Sequence, residues 1–120
     1  MTREKLLGSF GEAAAAEYLR KKRYELLGMN YRCSLGEVDI IARQGTVFVF
    51  VEVKLRREGG YASALEAVTP SKQRKLRYAA EAWLAENGQE NSECRFDVVE
   101  IYLSRADGKV TSIRHMEEAF

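Results

Sequence analysis

Glu52 and Lys54 stand two positions apart in VFVFVEVKLRR, residues 47–57, the most apolar stretch of the chain. An ionised group in such a strand costs several kcal/mol unless it is paired, hydrogen-bonded or bound to a metal. Asp39 interrupts a second β-branched run, VDIIAR, in the same way. Two carboxylates at the end of core strands suit a hard divalent cation, because Mg2+ takes sites built from one or two carboxylates, water and substrate phosphate. A neighbouring lysine can steady a nucleophile or the pentavalent state at phosphorus. The chemistry these residue types could do is phosphodiester hydrolysis, with Mg2+ or Mn2+ on Asp39 and Glu52 and Lys54 at the phosphate. An ordinary ion pair on a partly wet strand would also use the Glu-x-Lys spacing.

The elements that must position these residues start with a hairpin. VDIIAR and TVFVFVEVK are separated by Gln44-Gly45, where glycine can supply the positive φ of a two-residue turn, so residues 37–54 are expected to pair antiparallel. That turn sets Asp39 opposite Phe50 and Glu37 opposite Glu52. With a side-chain period of two, Asp39, Glu52 and Lys54 emerge on one face, Asp39 and Glu52 as diagonal neighbours about 7–8 Å apart. Both arms are too apolar to be half-exposed, so the hairpin should be the centre of a sheet covered on both faces.

Helices must supply the cover. SFGEAAAAEYLRKK predicts a helix from about Ser9, a possible cap, to Lys22, with its positive charges in the last turn. YELLGMNYRC predicts a first strand near Tyr24 to Arg32 with a break or bulge at Gly28. After a loop at REGGY and the segment ASALEAV, Thr69 can cap and Pro70 open a long helix to about Glu86, with Leu76, Ala80, Trp83 and Leu84 on one stripe. FDVVEIYL and KVTSIRH predict two more strands. The expected class is α/β, one domain over residues 1–120, in the order α-β-β-β-α-β-β.

Composition sets the bounds. With 46% hydrophobic and 31% charged residues and one proline, the chain is neither disordered nor collagen-like. No window has the apolar length of a membrane span, and the N-terminus has no secretory pattern, so a cytoplasmic address without a membrane partner is expected. Cys33 and Cys94 lie far apart, and His115 is the one histidine, which excludes a zinc cage or a Cys-x-x-Cys redox pair. The formal charge of +1 hides an asymmetry: residues 1–80 carry 15 Lys/Arg against 9 Asp/Glu, and residues 81–120 carry 4 against 9. One end of the chain could therefore face a polyanion.

Arg56 and Arg57 follow Lys54 directly, and Lys72, Gln73, Arg74, Lys75 and Arg77 open the long helix with no acid among them. These residues could form a track for a nucleic-acid backbone, helped by the dipole at the helix start, or a solvated basic face. On the first helix, Glu12 is in line with Ala15, Ala16 and Leu19 and could turn toward the sheet; Glu17 has a comparable claim by periodicity.

GEVDIIA, VFVEVKLR, AVTPSKQRKL and RFDVVEI, in that order, resemble the YraN-type family of small uncharacterised bacterial proteins, predicted endonucleases distantly similar to archaeal Holliday junction resolvases. The resemblance runs from Gly11-Glu12 to the terminal Glu-Ala-Phe. It implies the restriction-endonuclease-like PD-(D/E)xK fold, a central mixed sheet flanked by helices. It also implies a metal-dependent, structure-specific endonuclease acting on nucleic acid; of the two nucleic acids, DNA is expected ahead of RNA. The superfamily's metal-binding aspartate falls on Asp39 and its Glu-x-Lys on Glu52 and Lys54. The Val53 carbonyl is implied as a further metal ligand, and the family's Gly-Glu pair puts an additional acid at Glu12. The proline that often precedes the aspartate is replaced by Val38. A two-fold symmetric junction substrate would call for a homodimer. A nucleic-acid-binding protein that keeps the fold without cutting, or a structural protein with a buried ion-pair network, would use many of the same residues.

Overall fold

The computed structural model describes residues 2–59 and 68–120, the side chains of residues 3–5 excepted. Gly60 and Tyr61 of the REGGY loop and residues 62–67 of ASALEAV lie outside the described residues. The elements are α1 (Arg3–Lys21), β1 (Glu25–Cys33), β2 (Gly36–Gln44), β3 (Val47–Arg57), α2 (Pro70–Glu86), β4 (Cys94–Leu103) and β5 (Val110–Met116). The strands form one sheet in the order β1-β2-β3-β4-β5. All neighbours are antiparallel except β3 and β4, which are parallel and are therefore joined by a crossover that contains α2. This is the expected α/β order, and its mixed sheet is compatible with a restriction-endonuclease-like fold. No described helix is long and apolar enough to cross a membrane.

Each face of the sheet is buried by one helix. Ala15, Ala16 and Leu19 of α1 pack with Ile40, Ala42, Val49, Val51, Val99 and Ile101. Leu76, Ala79, Ala80 and Leu84 of α2 pack with Ile41, Phe48, Phe50, Phe96 and Val98. Because β2, β3 and β4 are the inner strands, they are apolar on both sides, whereas β5 at the edge is largely exposed.

Two local expectations change. Helix α1 begins at Arg3, ahead of Ser9, with the Leu6 amide already bonded to the Thr2 carbonyl at 3.0 Å. Arg-Glu-Lys-Leu-Leu are strong helix formers, and one exposed Gly8 does not stop them. The bulge in β1 falls between Leu26 and Gly28, as expected, but the hairpin turn is one residue further on. Gln44 pairs with Val47 inside the ladder, leaving Gly45, at φ +61°, as the first turn residue. Gln44 is also held in the sheet by Arg95, whose Nη1 donates to its Oε1 at 2.7 Å.

This moves the register by two residues, which preserves the faces. Continuing the ladder one step past Ile40–Val51 brings Asp39 directly opposite Glu52, where a diagonal relation was expected. On α2 the Thr69 cap is as expected: its Oγ1 accepts from the Lys72 amide at 3.2 Å, with Pro70 in the first turn.

Candidate metal and phosphate site

Asp39 and Glu52 meet where the β2–β3 ladder gives out. Beyond Ile40–Val51 the backbone pairing is replaced by a side chain: the Val53 amide donates to Asp39 Oδ2 at 2.8 Å. A carboxylate that accepts a backbone amide is fixed in orientation and cannot swing away to solvent. Glu52 follows Phe48 and Phe50 along the α2 face of β3 and is 4% exposed.

Two lysines reach Glu52, and both reach the same atom. Lys54 Nζ is 3.5 Å and Lys72 Nζ 3.6 Å from Oε1. The other oxygen, Oε2, is buried and has no hydrogen-bond partner among the described residues. Such an atom forfeits its hydration without replacement. Burial, then the charge of Asp39, pushes the Glu52 carboxyl up to about 7 despite the two lysines. Asp39 is raised as well, chiefly by burial, against the opposing effects of the Val53 amide, Lys72 and Lys54. A buried and a half-buried carboxylate that repel each other, the buried one with a bare oxygen, are a donor set suited to a hard cation.

Glu12 lies close enough to Asp39 for their charges to interact, and Glu17 faces away from the site. Burial raises the Glu12 carboxyl, the Asn30 side chain hydrogen-bonds to it, and the charges of Asp39 and Glu37 act on it. Its neighbour Gly11 packs so tightly that an added Cβ would come within 3.2 Å of Leu55, which sets the first turns of α1 against β3. Glu17 pairs instead with Lys21 on the exposed side of α1, at 3.3 Å. Asn30, at φ +55°, was not singled out from the sequence. Asn is one of the few residue types that take the left-handed region readily.

The basic residues divide. Lys72, expected on a nucleic-acid track, belongs to the acidic cluster itself, since it also approaches Glu37 Oε1 at 3.9 Å. Glu37 is half exposed and paired with Arg32 at 3.3 Å. Arg56 is committed elsewhere: its Nε donates to the fully buried Glu100 at 2.5 Å, whose other oxygen accepts from the Tyr102 hydroxyl at 3.3 Å. Gln73 Nε2 donates to the Val68 carbonyl at 3.0 Å. Arg57, Arg74 and Lys75 are exposed. Arg77 lies over the rings of Phe96 and Phe120, 4.8 and 5.6 Å from their centres.

A second polar cluster lies on β4, β5 and the C-terminal segment. Asp97, His115 and Glu117 bring ligand-type atoms within 4.8 Å of one another. A cation is already there: the Arg95 guanidinium bridges Asp97 at 3.0 and 3.2 Å and Glu117 at 3.2 Å. His115 Nε2 is 2.7 Å from Asp97 Oδ2, and the Glu118 amide donates to Oδ1 at 3.1 Å. Burial alone would raise Asp97, but these donors together hold it below the usual carboxylate range. The cluster is a structural lock on the C-terminal segment.

The model of an uncharacterised protein family, UPF0102, matches residues 11–101. The chain is similar to a UPF0102 protein of Geobacter sulfurreducens, 47% identical over 116 residues, covering 97% of this chain and 89% of the relative. It is similar to a UPF0102 protein of Pelotomaculum thermopropionicum, 45% identical over 116 residues, 97% and 96% of the two chains. A UPF0102 protein of Rhodococcus jostii is 47% identical over 114 residues, 95% of each chain. The matched span includes Glu12, Asp39, Glu52, Lys54 and Lys72.

Proposed function

The chain belongs to the UPF0102 family, and we propose that it is a metal-dependent endonuclease of the PD-(D/E)xK superfamily, hydrolysing phosphodiester bonds of nucleic acid in the cytoplasm. The observation that carries this reading is the bare, buried Oε2 of Glu52, beside Asp39 and with two lysines on Oε1. Asp39 and Glu52, with the Val53 carbonyl, would hold Mg2+ or Mn2+, and Glu12 would add a further acid. When bound, that ion supplies charge neutralisation and Lewis acidity at the phosphate. Lys54 and Lys72, each about a third exposed, present ammonium groups to an incoming phosphate while tethered to Glu52. Lys54, on the strand beside the scissile bond, aids the attack of water and steadies the charge that develops on phosphorus. Arg57, Arg74 and Lys75 hold the flanking backbone, DNA in preference to RNA.

The test is cleavage of a panel of branched, flapped, single-stranded and duplex substrates with Mg2+ and with EDTA. Cleavage that needs Mg2+ and disappears in Glu52→Ala and Lys54→Ala supports the proposal. Salt-dependent binding that survives Glu52→Ala, with no cutting anywhere on the panel, would instead make it a binding protein that keeps the fold.

A further inference from the structure

Beside the carboxylates, the β1–β2 turn and the start of α2 form an open cavity of about 380 Å3 whose lining includes Arg32, Cys33, Leu35, Glu37, Lys72 and Lys75. The close approach that forms it depends on Gly36, because a Cβ there would lie 2.3 Å from the Lys75 carbonyl oxygen. Three cations face one carboxylate, Glu37, which Arg32 and Lys72 already neutralise at 3.3 and 3.9 Å. The lining thus carries surplus positive charge, with a planar guanidinium that can grip a phosphate through two donors. Lys72 is shared, since its Nζ is 3.6 Å from Glu52 and 3.9 Å from Glu37. An anion in the cavity and one at Glu52 would therefore be neighbours, as consecutive phosphates of one strand are.

The size and lining select the ligand further. A cavity of 380 Å3 is near the lower end of the roughly 300–1,000 Å3 that small-ligand pockets span, a size that matches one nucleotide unit. Among the described residues, no aromatic, Asn or Gln side chain lines it, so these residues offer neither a stacking platform nor a hydrogen-bonding edge for a particular base. Leu35, 60% exposed, gives an apolar surface that any base can cover.

We infer that this cavity seats one unpaired nucleotide of a nucleic-acid strand next to the scissile phosphate, held through its backbone phosphate by Arg32, Lys72 and Lys75 without base discrimination. The inference rests on the reading of Asp39, Glu52 and Lys54 as a phosphodiester site. It makes the enzyme selective for strands that are single or frayed at the point of cutting.

Cys33, in the wall of the cavity, is a built-in reporter, and Cys94, a free thiol outside it, is the control. Alkylation of both thiols in the native protein is followed by mass spectrometry in EDTA with an oligo-dT strand, a blunt duplex or inorganic phosphate at equal phosphate concentration. Affinities for the strand are measured in parallel by fluorescence anisotropy. The strand should slow Cys33 severalfold and leave Cys94 unchanged, and duplex and inorganic phosphate should do neither. Lys75→Ala should weaken strand binding about tenfold, the worth of one charge-assisted phosphate contact. Arg114→Ala, an exposed cation on β5 at the far edge of the sheet and outside the cavity, should weaken it about twofold or less. Equal protection by duplex, equal protection by phosphate alone, an unprotected Cys33, or equal effects of the two substitutions would each overturn the inference. Because EDTA removes hydrolysis from the assay, protection without any cleavage activity would fail the nuclease reading alone. Cleavage without protection would fail this inference alone.

Discussion

Lys72 Nζ and Lys54 Nζ approach one and the same oxygen of Glu52, at 3.6 and 3.5 Å. Lys72 comes from the start of a helix and Lys54 from the strand itself, yet neither covers Oε2. Removing either lysine takes away a charge that favours ionised Glu52. In Lys72→Met and in Lys54→Met the Glu52 carboxyl is expected to titrate still higher than in the native protein. Carbon-detected NMR titration of the glutamate side chains checks this; an unchanged Glu52 titration in both variants would contradict the shared contact.

Glu52 also makes stability fall as pH rises. Its carboxyl is raised from 4.5 to about 7 in the fold, so between those values the folded chain keeps a proton that the unfolded chain has lost. More protons bound in the native state means stability declines with pH through that window. The penalty is of order 3 kcal/mol above pH 7. Glu52→Gln, measured without metal, should melt higher than the native protein at pH 8 by at least about 5 °C. The gap should close toward pH 4.5.

Asp39 has two separable roles, as an acceptor for the Val53 amide at 2.8 Å and as a charge. Asp39→Asn keeps an acceptor and removes the charge, so it should fold near normally and lose Mn2+ affinity. Asp39→Ala leaves the amide without its partner and should cost a further 1–3 kcal/mol or so. Denaturant titration of the two variants separates these effects; equal stabilities would show that the amide bond contributes nothing.

Arg95 and Asp97 test the second cluster as a lock. Asp97 is fully buried and Arg95 bridges it to Glu117, so Arg95→Met leaves that charge with His115 and the Glu118 amide alone and should cost about 2–3 kcal/mol. The contribution of Asp97, whose carboxyl is lowered below 3.8, is present above pH 4 and lost as pH falls through its folded value. Thermal melts of Arg95→Met at pH 7 and pH 3 should show a large deficit at the first and a smaller one at the second.

Much of the architecture was legible because its signals are local. The two apolar arms, the Thr69-Pro70 start and the glycine-marked bulge each act within a few residues. The hairpin register was not, since the sequence does not say whether Gly45 is the first or second turn residue; Gln44 stays in the ladder with Arg95 on its side chain. A shift of two left Asp39, Glu52 and Lys54 on one face, so the candidate site survived the error. Arg56 read as a free cation because its partner Glu100 is 44 residues away. Lys72 read as part of a surface track because only the packing of α2 on β3 brings it to Glu52. Asn30 carried no chemical signal until the fold set it beside Glu12.

A divalent cation held by Asp39 and Glu52 would be seen by anomalous diffraction from a crystal soaked in Mn2+. One strong peak is expected within bonding distance of Asp39 and of Glu52 Oε2, absent from Glu52→Gln crystals treated alike. No peak at these carboxylates, or a peak only at Asp97, His115 and Glu117, would contradict metal binding at this pair.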